Sequence, residues 1–334
     1  MPDTFTTETR ARLAKLLERF RALAQPGPFA YEWCHTADGG RHSTHVVFGA
    51  MIHGNEFGSL PAVVRLVEQL RSGDLRFGGR VTVFIGNPEA AEENKRFLEA
   101  DLNRVFIETG GQTHEHARAR KLMTILDAAD VFVDFHQTIL ETRQPFYIFP
   151  WHVPGWHWAR ALQSSEVWVT RDPRLQFSAN SRCSDEYVCT TGRPGLTVEL
   201  SQKGFSDNAE ALCWQTMVRA LQHADTMAAQ EADIQQLAAA APELTYYTTT
   251  YTEPFATPEH ALRPGLVNFQ PVKAGQQLAS PRTPEMVVPS NGMLLFPKYP
   301  PREGSSALTP RPKDIYRLIT PLTTHPAKLW ADDD

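Results

Sequence analysis

Three sets of residues in this sequence could act together in one metal-dependent hydrolysis reaction. The first is the segment His53-Gly54-Asn55-Glu56, in which an imidazole and a carboxylate lie three residues apart within a predicted turn. The other two are His136 and Glu199. Mixed nitrogen and oxygen ligands suit zinc, and two histidines with one carboxylate make the three-ligand arrangement that leaves a position for water. The residue types therefore predict a catalytic zinc site.

These residues follow or end predicted strands. Residues 46–52 form an apolar run of β-type residues that ends at His53, and residues 59–70 have helical spacing of their apolar positions. Residues 130–135 form a nearly continuous apolar strand before His136, and Glu199 ends another. Open α/β sheets bind their ligands at the carboxyl ends of the strands, so we expect the three groups to meet there.

Glu199 and Asp134, both in predicted buried strands, each have more than one interpretation. An unpaired carboxylate at Glu199 would be costly to bury, and a role as general base would account for it, because partial burial raises a carboxyl pKa. A salt-bridged structural role is the alternative. Asp134 lies two residues before His136 on the same side of its strand, where it could orient a metal ligand or serve as a structural acid.

A polar segment at residues 95–106 carries two arginines and an amide. Arg96 could stabilise the oxyanion that develops when water attacks a carbonyl. Asn103 and Arg104 could bind a substrate carboxylate, for which the planar guanidinium is well shaped. A solvated loop without function is the alternative. The segment His114-Glu115-His116 is predicted to begin a surface helix.

Composition limits the function classes. An apolar content of 42% and a charged content of 21% are ordinary for a soluble globular protein. The net charge of -5 argues against a nucleic-acid partner. No stretch approaches the ~18 apolar residues of a membrane helix, so we expect no membrane association. The four cysteines lack Cys-x-x-Cys spacing, which favours a reduced cytoplasmic location.

The element pattern predicts an α/β fold with a mostly parallel mixed sheet flanked by helices. Strands and helices alternate as far as residue 240, from a strand at 31–35 to a helix at 207–228. Residues 241–334 begin with a run rich in threonine and tyrosine at 246–251 and contain many prolines and turn signals. They predict a small all-β domain, with short strands near 266–269, 286–288 and 293–296. We therefore expect two domains, 1–240 and 241–334, the second packing near the active site.

Taken together, these residues resemble the succinylglutamate desuccinylase/aspartoacylase family of the zinc carboxypeptidase-like superfamily. The resemblance covers residues from about 31 to 225. It rests on motifs in a specific order and spacing, which are Gly49-Ala50-Met51-Ile52-His53-Gly54-Asn55-Glu56, Gly86-Asn87-Pro88, Lys95-Arg96-Phe97, Asp101-Leu102-Asn103-Arg104-Val105-Phe106, Asp134-Phe135-His136 and Thr197-Val198-Glu199-Leu200.

The resemblance implies one zinc ion on His53, Glu56 and His136. It implies Glu199 as the base and Arg96 on the oxyanion. Asn103 and Arg104 would bind the substrate carboxylate. The sequence departs from the family at His136-Gln137-Thr138, where several members carry His-Thr, and at residues 200–204. Arg143 is a candidate for a second carboxylate contact.

The expected function is a zinc-dependent amidohydrolase that cleaves the amide of a small N-acylated amino acid. Zinc and Glu199 would activate the attacking water. One alternative keeps the same site and takes a peptide C-terminus, which would make the protein a metallocarboxypeptidase. Another is a catalytically inactive relative that binds a ligand. The sequence leaves open the acyl group, the amino acid, the oligomeric state and the use of another divalent metal.

Overall fold

A computed structural model describes residues 5–107, 110–281, 283, 285–304, 306–308 and 312–330. Its helices are α1 (Thr7–Leu23), α2 (Leu60–Ser72), α3 (Pro88–Glu92), α4 (His114–Asp127), α5 (Val153–Leu162), α6 (Ser184–Cys189), α7 (Asp207–Ala228), α8 (Ile234–Ala239) and α9 (Pro326–Leu329). Its strands are β1 (Cys34–Asp38), β2 (His45–Ala50), β3 (Arg80–Ile85), β4 (Val131–Thr138), β5 (Phe146–Ile148), β6 (Val167–Val169), β7 (Gly195–Gln202), β8 (Thr245–Pro254), β9 (Pro271–Val272), β10 (Gly292–Leu295), β11 (Arg302–Glu303), β12 (Ser306–Ala307) and β13 (Asp314–Pro321).

The main sheet has eleven strands in the order β1-β3-β2-β4-β7-β5-β6-β8-β13-β10-β9. Strands β3, β2, β4 and β7 pair in parallel, and β1 lies antiparallel at one edge. From β8 onward the neighbours β8, β13, β10 and β9 pair antiparallel. The predicted fold class, a mostly parallel mixed sheet flanked by helices with β structure after it, is confirmed.

The central strands are buried on both faces, which explains their continuous apolar sequences. All six residues of β2 and all eight of β4 are buried. Helix α7 packs against β2 and β7, and α6 packs against β4 and β7. Because β2, β4 and β7 are parallel neighbours, their carboxyl ends meet at one edge of the sheet, where the predicted site residues lie.

Several predicted helices and strands lie at other bounds. Helices α4 and α7 begin at the predicted residues, whereas the strand expected at 31–35 is β1 at Cys34–Asp38. Residues 266–269 and 286–288 contribute isolated bridges in place of strands. Leu266, Met286 and Val288 pack in a second core with residues of β10 and β13, so their burial produced the strand-like pattern. The sequence analysis also missed α6.

The strands after residue 245 continue the main sheet. Strand β8 pairs in parallel with β6 and antiparallel with β13. A division at residue 240 into two domains stays a prediction, and the chain ends 1–4 and 331–334 lie outside the described residues. None of the helices in the described ranges is long and apolar enough to cross a membrane. The four cysteines are unpaired.

Candidate metal centre and active site

Three buried side chains converge where β2 and β4 end. His53, Glu56 and His136 are each at most 3% exposed, and their ligand atoms all lie within 4.8 Å of one another. His53 Nδ1 is 2.8 Å from Glu56 Oε1, and His136 Nδ1 is 2.9 Å from Glu56 Oε2. The two Nδ1 atoms are 3.2 Å apart. The structure thus brings together the three residues predicted to bind zinc.

The local backbone fixes this cluster. After β2 the chain turns at Met51, which adopts a left-handed φ of 55° although it is a buried, non-glycine residue. Gly54 then passes so close to α3 that a Cβ atom would lie 2.4 Å from Ala91 N. The Gly54 N–H donates to Arg96 O at 3.0 Å, which joins this turn to the polar segment. His136 needs no such turn because it lies within β4.

Each histidine has a carboxylate on its outer nitrogen. His53 Nε2 is 3.1 Å from Asp101 Oδ1, and His136 Nε2 is 3.0 Å from Asp134 Oδ2. Such carboxylates fix the tautomer and ring orientation of metal-binding histidines and raise their basicity. The orienting role considered for Asp134 agrees with this contact. The sequence analysis did not identify Asp101 as the partner of His53, because the two are far apart in the sequence.

The arrangement fits a divalent cation. Two imidazole nitrogens and two carboxylate oxygens face one small space, while the opposite nitrogens are taken by carboxylates. Nitrogen and oxygen donors of this kind suit zinc. Burial would raise the pKa of Glu56, but the two imidazoles lower it, so the carboxylate is charged. His53, Glu56 and His136 are the one such group among the described residues.

Glu199 lies beside this cluster with a free carboxylate oxygen. In the parallel register of β4 and β7, Glu199 is the partner of His136. It is 7% exposed, and its Oε2 has no hydrogen-bond partner among the described residues. Burial and the nearby charge of Glu56 raise the pKa of Glu199 to about 8. A buried, unpaired carboxyl group with a pKa near neutrality has the properties of a proton carrier.

Arg96 contacts the cluster from the polar segment. Its Nη1 is 3.1 Å from Glu56 Oε1, and its Nε donates to Asp101 Oδ2 at 3.0 Å. Its side chain is 30% exposed, in contrast to the buried ligands. The guanidinium therefore lies at the open side of the cluster, where a charge that develops on a bound molecule could be stabilised.

Asn103 and Arg104 follow on a 3-10 turn at Leu102–Arg104. The Ser184 N–H donates to Asn103 Oδ1 at 2.9 Å, and the Ser184 hydroxyl donates to Asp134 Oδ2 at 2.5 Å. Ser184, which the sequence analysis missed, therefore links Asn103 to the carboxylate that holds His136. Arg143 is exposed in the turn after β4 and has no polar contact with the described residues, so its role in substrate binding stays a prediction.

Glu115 departs from the prediction of a surface helix start. It is fully buried and accepts hydrogen bonds from the N–H groups of Leu98 (2.7 Å), Glu99 (3.2 Å) and Ala100 (3.0 Å). A fourth bond comes from Asn87 Nδ2 at 3.2 Å. Glu115 points away from solvent because it binds the backbone of the segment that carries Arg96 and Asp101. Helical periodicity in the sequence cannot reveal a hydrogen-bond partner that lies outside the helix.

Comparisons with known proteins agree with these features. A family model described as the succinylglutamate desuccinylase/aspartoacylase catalytic domain matches residues 42–259. Succinylglutamate desuccinylase from Pseudomonas paraeruginosa is 35% identical over 119 residues, covering 32% of this chain and 35% of the relative. The enzyme of that name from Ectopseudomonas mendocina is 26% identical over 175 residues, covering 49% of this chain and 52% of the relative. The chain thus spans between about a third and about half of the length of these curated relatives.

A solved structure supports the fold over more of the chain. Succinylglutamate desuccinylase from Chromobacterium violaceum matches with a TM-score of 0.65 and 16% identity. The match covers 92% of this chain and 98% of that chain. At this identity the likeness concerns the fold alone.

Proposed function

Because the chain belongs to the succinylglutamate desuccinylase/aspartoacylase family, we propose that it is a zinc-dependent amidohydrolase that removes the acyl group from a small N-acylated amino acid. One observation carries the proposal. The buried cluster of His53, Glu56 and His136 lies beside Glu199, a buried carboxyl group with one oxygen that no described residue hydrogen-bonds. A metal position next to a proton carrier is what the hydrolysis of an amide by water requires.

His53, Glu56 and His136 would hold the metal. When bound, zinc acts as a Lewis acid that polarises a carbonyl group and lowers the pKa of water. Asp101 and Asp134 would keep the imidazoles oriented through their outer nitrogens. One zinc ion per chain is expected.

Four residues of the chain would carry out the proton transfers, the stabilisation of the oxyanion and the binding of substrate. Glu199 takes the proton from the attacking water and later passes it to the leaving amine, which needs a proton to depart. Arg96 donates hydrogen bonds to the carbonyl oxygen as negative charge develops there. Asn103 and Arg104 bind the substrate carboxylate and fix the amide relative to the cluster.

The first experiment is metal analysis of the purified protein with an activity panel on the same sample. The panel contains N-acetyl, N-succinyl and N-formyl amino acids, including N-succinylglutamate because of the relatives' name, and dipeptides that test for a carboxypeptidase. One zinc ion per chain, with turnover of an N-acyl amino acid that is lost on chelation, supports the proposal. Turnover of dipeptides alone would assign a carboxypeptidase, and zinc with ligand binding but no turnover would favour a binding protein.

Glu199→Gln tests the base directly. Removing a general base typically costs about 10²- to 10⁴-fold in rate, so we expect a loss of that size in kcat with zinc content unchanged. Glu166→Gln makes the same change at an exposed position before β6 and serves as the control. A Glu199→Gln enzyme as active as wild type would refute the assignment.

A further inference from the structure

Gln137 follows His136 directly in β4, and the mechanism gives it no role. It is 2% exposed. Successive side chains of a strand point to opposite faces, so its carboxamide points away from the His136 ring. The register of β4 and β7 shifts here, because His136 pairs with Glu199 whereas Thr138 pairs with Gln202. Two residues of β7 therefore lie opposite Gln137 alone, in a bulge that begins directly after Glu199.

The carboxamide of Gln137 uses all of its hydrogen-bonding capacity. Its Oε1 accepts from the N–H groups of Gly58 at 2.7 Å and Gly204 at 3.3 Å. Its Nε2 lies within donating distance of Gln202 O (2.8 Å), Gly204 O (3.0 Å) and Ser201 Oγ (3.1 Å). The side chain therefore joins the turn at residue 58 to the end of β7 and the residues that follow it.

Gly58 provides the space that this carboxamide needs. A Cβ atom at residue 58 would lie 2.3 Å from Gln137 Nε2, and its three nearest atoms would all belong to the Gln137 side chain. The backbone of Gly58 is not in the left-handed region, so its own conformation does not require glycine. The requirement for glycine comes from the close approach of the Gln137 amide.

Gln137 contacts both halves of the proposed active site. Its backbone N–H donates to Glu56 Oε2 at 3.1 Å, and its side chain binds Gly58, two residues after that metal ligand. The same side chain binds residues 201–204, which follow Glu199. The two places at which this sequence departs from the family, residues 136–138 and 200–204, are thus in direct contact.

We propose that Gln137 is a positioning residue that fixes the separation between the metal cluster and Glu199. It acts through residue 58 and residues 201–204 and does not touch the reacting atoms. The inference rests on the proposed function, in which Glu199 transfers a proton beside the metal. A proton carrier works only within hydrogen-bond reach of its partner, and a displacement of about 1 Å lowers a rate by about 100-fold.

Gln137→Met tests this role, because methionine has nearly the same length but makes none of the hydrogen bonds of the carboxamide. In the zinc-saturated enzyme we expect kcat to fall by about 10- to 100-fold with KM unchanged, since the segment that binds substrate is not altered. Zinc affinity should fall by about 10-fold, because the turn that carries Glu56 loses its support. Gln215→Met makes the same change at an exposed position of α7 and serves as the control.

Two measurements report on the same contacts without turnover. Cobalt(II) in place of zinc has a visible absorption that depends on the arrangement of its ligands. Its spectrum should change in Gln137→Met and stay the same in Gln215→Met. Hydrogen exchange of the Gly58 and Gly204 amides, which donate to Gln137 Oε1, should quicken in Gln137→Met alone.

Gly58→Ala disturbs the carboxamide from the opposite side and keeps the inference testable if Gln137→Met does not fold. Its Cβ atom would displace the amide, so kcat should fall as in Gln137→Met. In the background of Gln137→Ala the space is open, and Gly58→Ala should then cost little more. Such non-additivity is expected only for residues that act through their mutual contact.

The outcomes separate this inference from the proposed function. A wild-type kcat and cobalt spectrum in Gln137→Met overturn the inference, even with a lower melting temperature, which would assign a purely structural role. The same cost of Gly58→Ala in both backgrounds also overturns it. No turnover of any N-acyl substrate by wild type, with a cobalt spectrum that depends on Gln137, overturns the proposed function and supports the positioning role at the metal. Neither turnover nor a change in the spectrum overturns both.

Discussion

Glu115→Gln should loosen the segment that carries Arg96 and Asp101 without unfolding the protein. The glutamine has nearly the same shape, but its NH2 group must face two of the four donors that the carboxylate accepts, the N–H groups of Leu98, Glu99 and Ala100 and the amide of Asn87. A hydrogen bond to a charged group contributes about 1.5–3 kcal/mol. Two lost bonds, each taken at the lower end of this range, give about 3 kcal/mol.

A local loss of about 3 kcal/mol raises the population of the open segment about 100-fold. Hydrogen–deuterium exchange of the amides of residues 98–100 measures this directly, and we expect their exchange to quicken by about that factor. Amides of the central strands should keep their rates. Activity should fall because Arg96 and Asp101 lose their positions. His53, Glu56 and His136 lie outside the segment, so zinc affinity should fall only as far as His53 loses its contact with Asp101.

Glu93→Gln is the matched control, because Glu93 is an exposed carboxylate near the start of the same segment, paired with Lys95. Its exchange rates at residues 98–100 should equal those of wild type. If Glu115→Gln leaves these rates unchanged, Glu115 does not hold the segment and the reasoning from its four hydrogen bonds is wrong.

The charge of Glu115 and the contact between Asp101 and His53 can each be tested separately. Burial would raise the pKa of Glu115, but the hydrogen bonds from Leu98, Ala100, Asn87 and Glu99 lower it below the unfolded value of about 4.3. Its stabilisation is therefore present above about pH 4.3 and is lost as pH falls through the lower folded pKa. The difference in melting temperature between wild type and Glu115→Gln should accordingly shrink below that pH, and a constant difference would contradict the shift. Asp101→Asn should weaken zinc binding about 10- to 100-fold, since it removes the carboxylate on His53. Competition with a chromophoric chelator measures this, with the exposed Asp74→Asn as control, and unchanged affinity would exclude an orienting role.

Residues of the site could be predicted from the sequence where both the residue type and its position at a strand end indicated a function. His53, Glu56 and His136 lie at the ends of apolar strands, and parallel strand ends meet by the geometry of the fold. The structure places their ligand atoms within 4.8 Å of one another. Glu199 was identified in the same way, because a carboxylate in an apolar strand needs an explanation.

Other residues of the site could not be found from the sequence because their partners are distant. Glu115 has the sequence context of an exposed helix start, and only the folded backbone of residues 98–100 explains its burial. Ser184 lies in α6, which the sequence analysis missed, and it joins Asn103 and Asp134, which are distant from it in the sequence. Such contacts are set by tertiary packing, which local periodicity does not encode.

The pairing of β6 with β8 affects how the chain can be divided. Strand β6 has β5 on one side, and β8 covers its other edge. A chain shortened at residue 240 would leave the buried residues Val167, Trp168 and Val169 along an open strand edge, which promotes association between copies. A hybrid protein that exchanges the C-terminal strands for those of a relative should therefore keep β8 and join after residue 254.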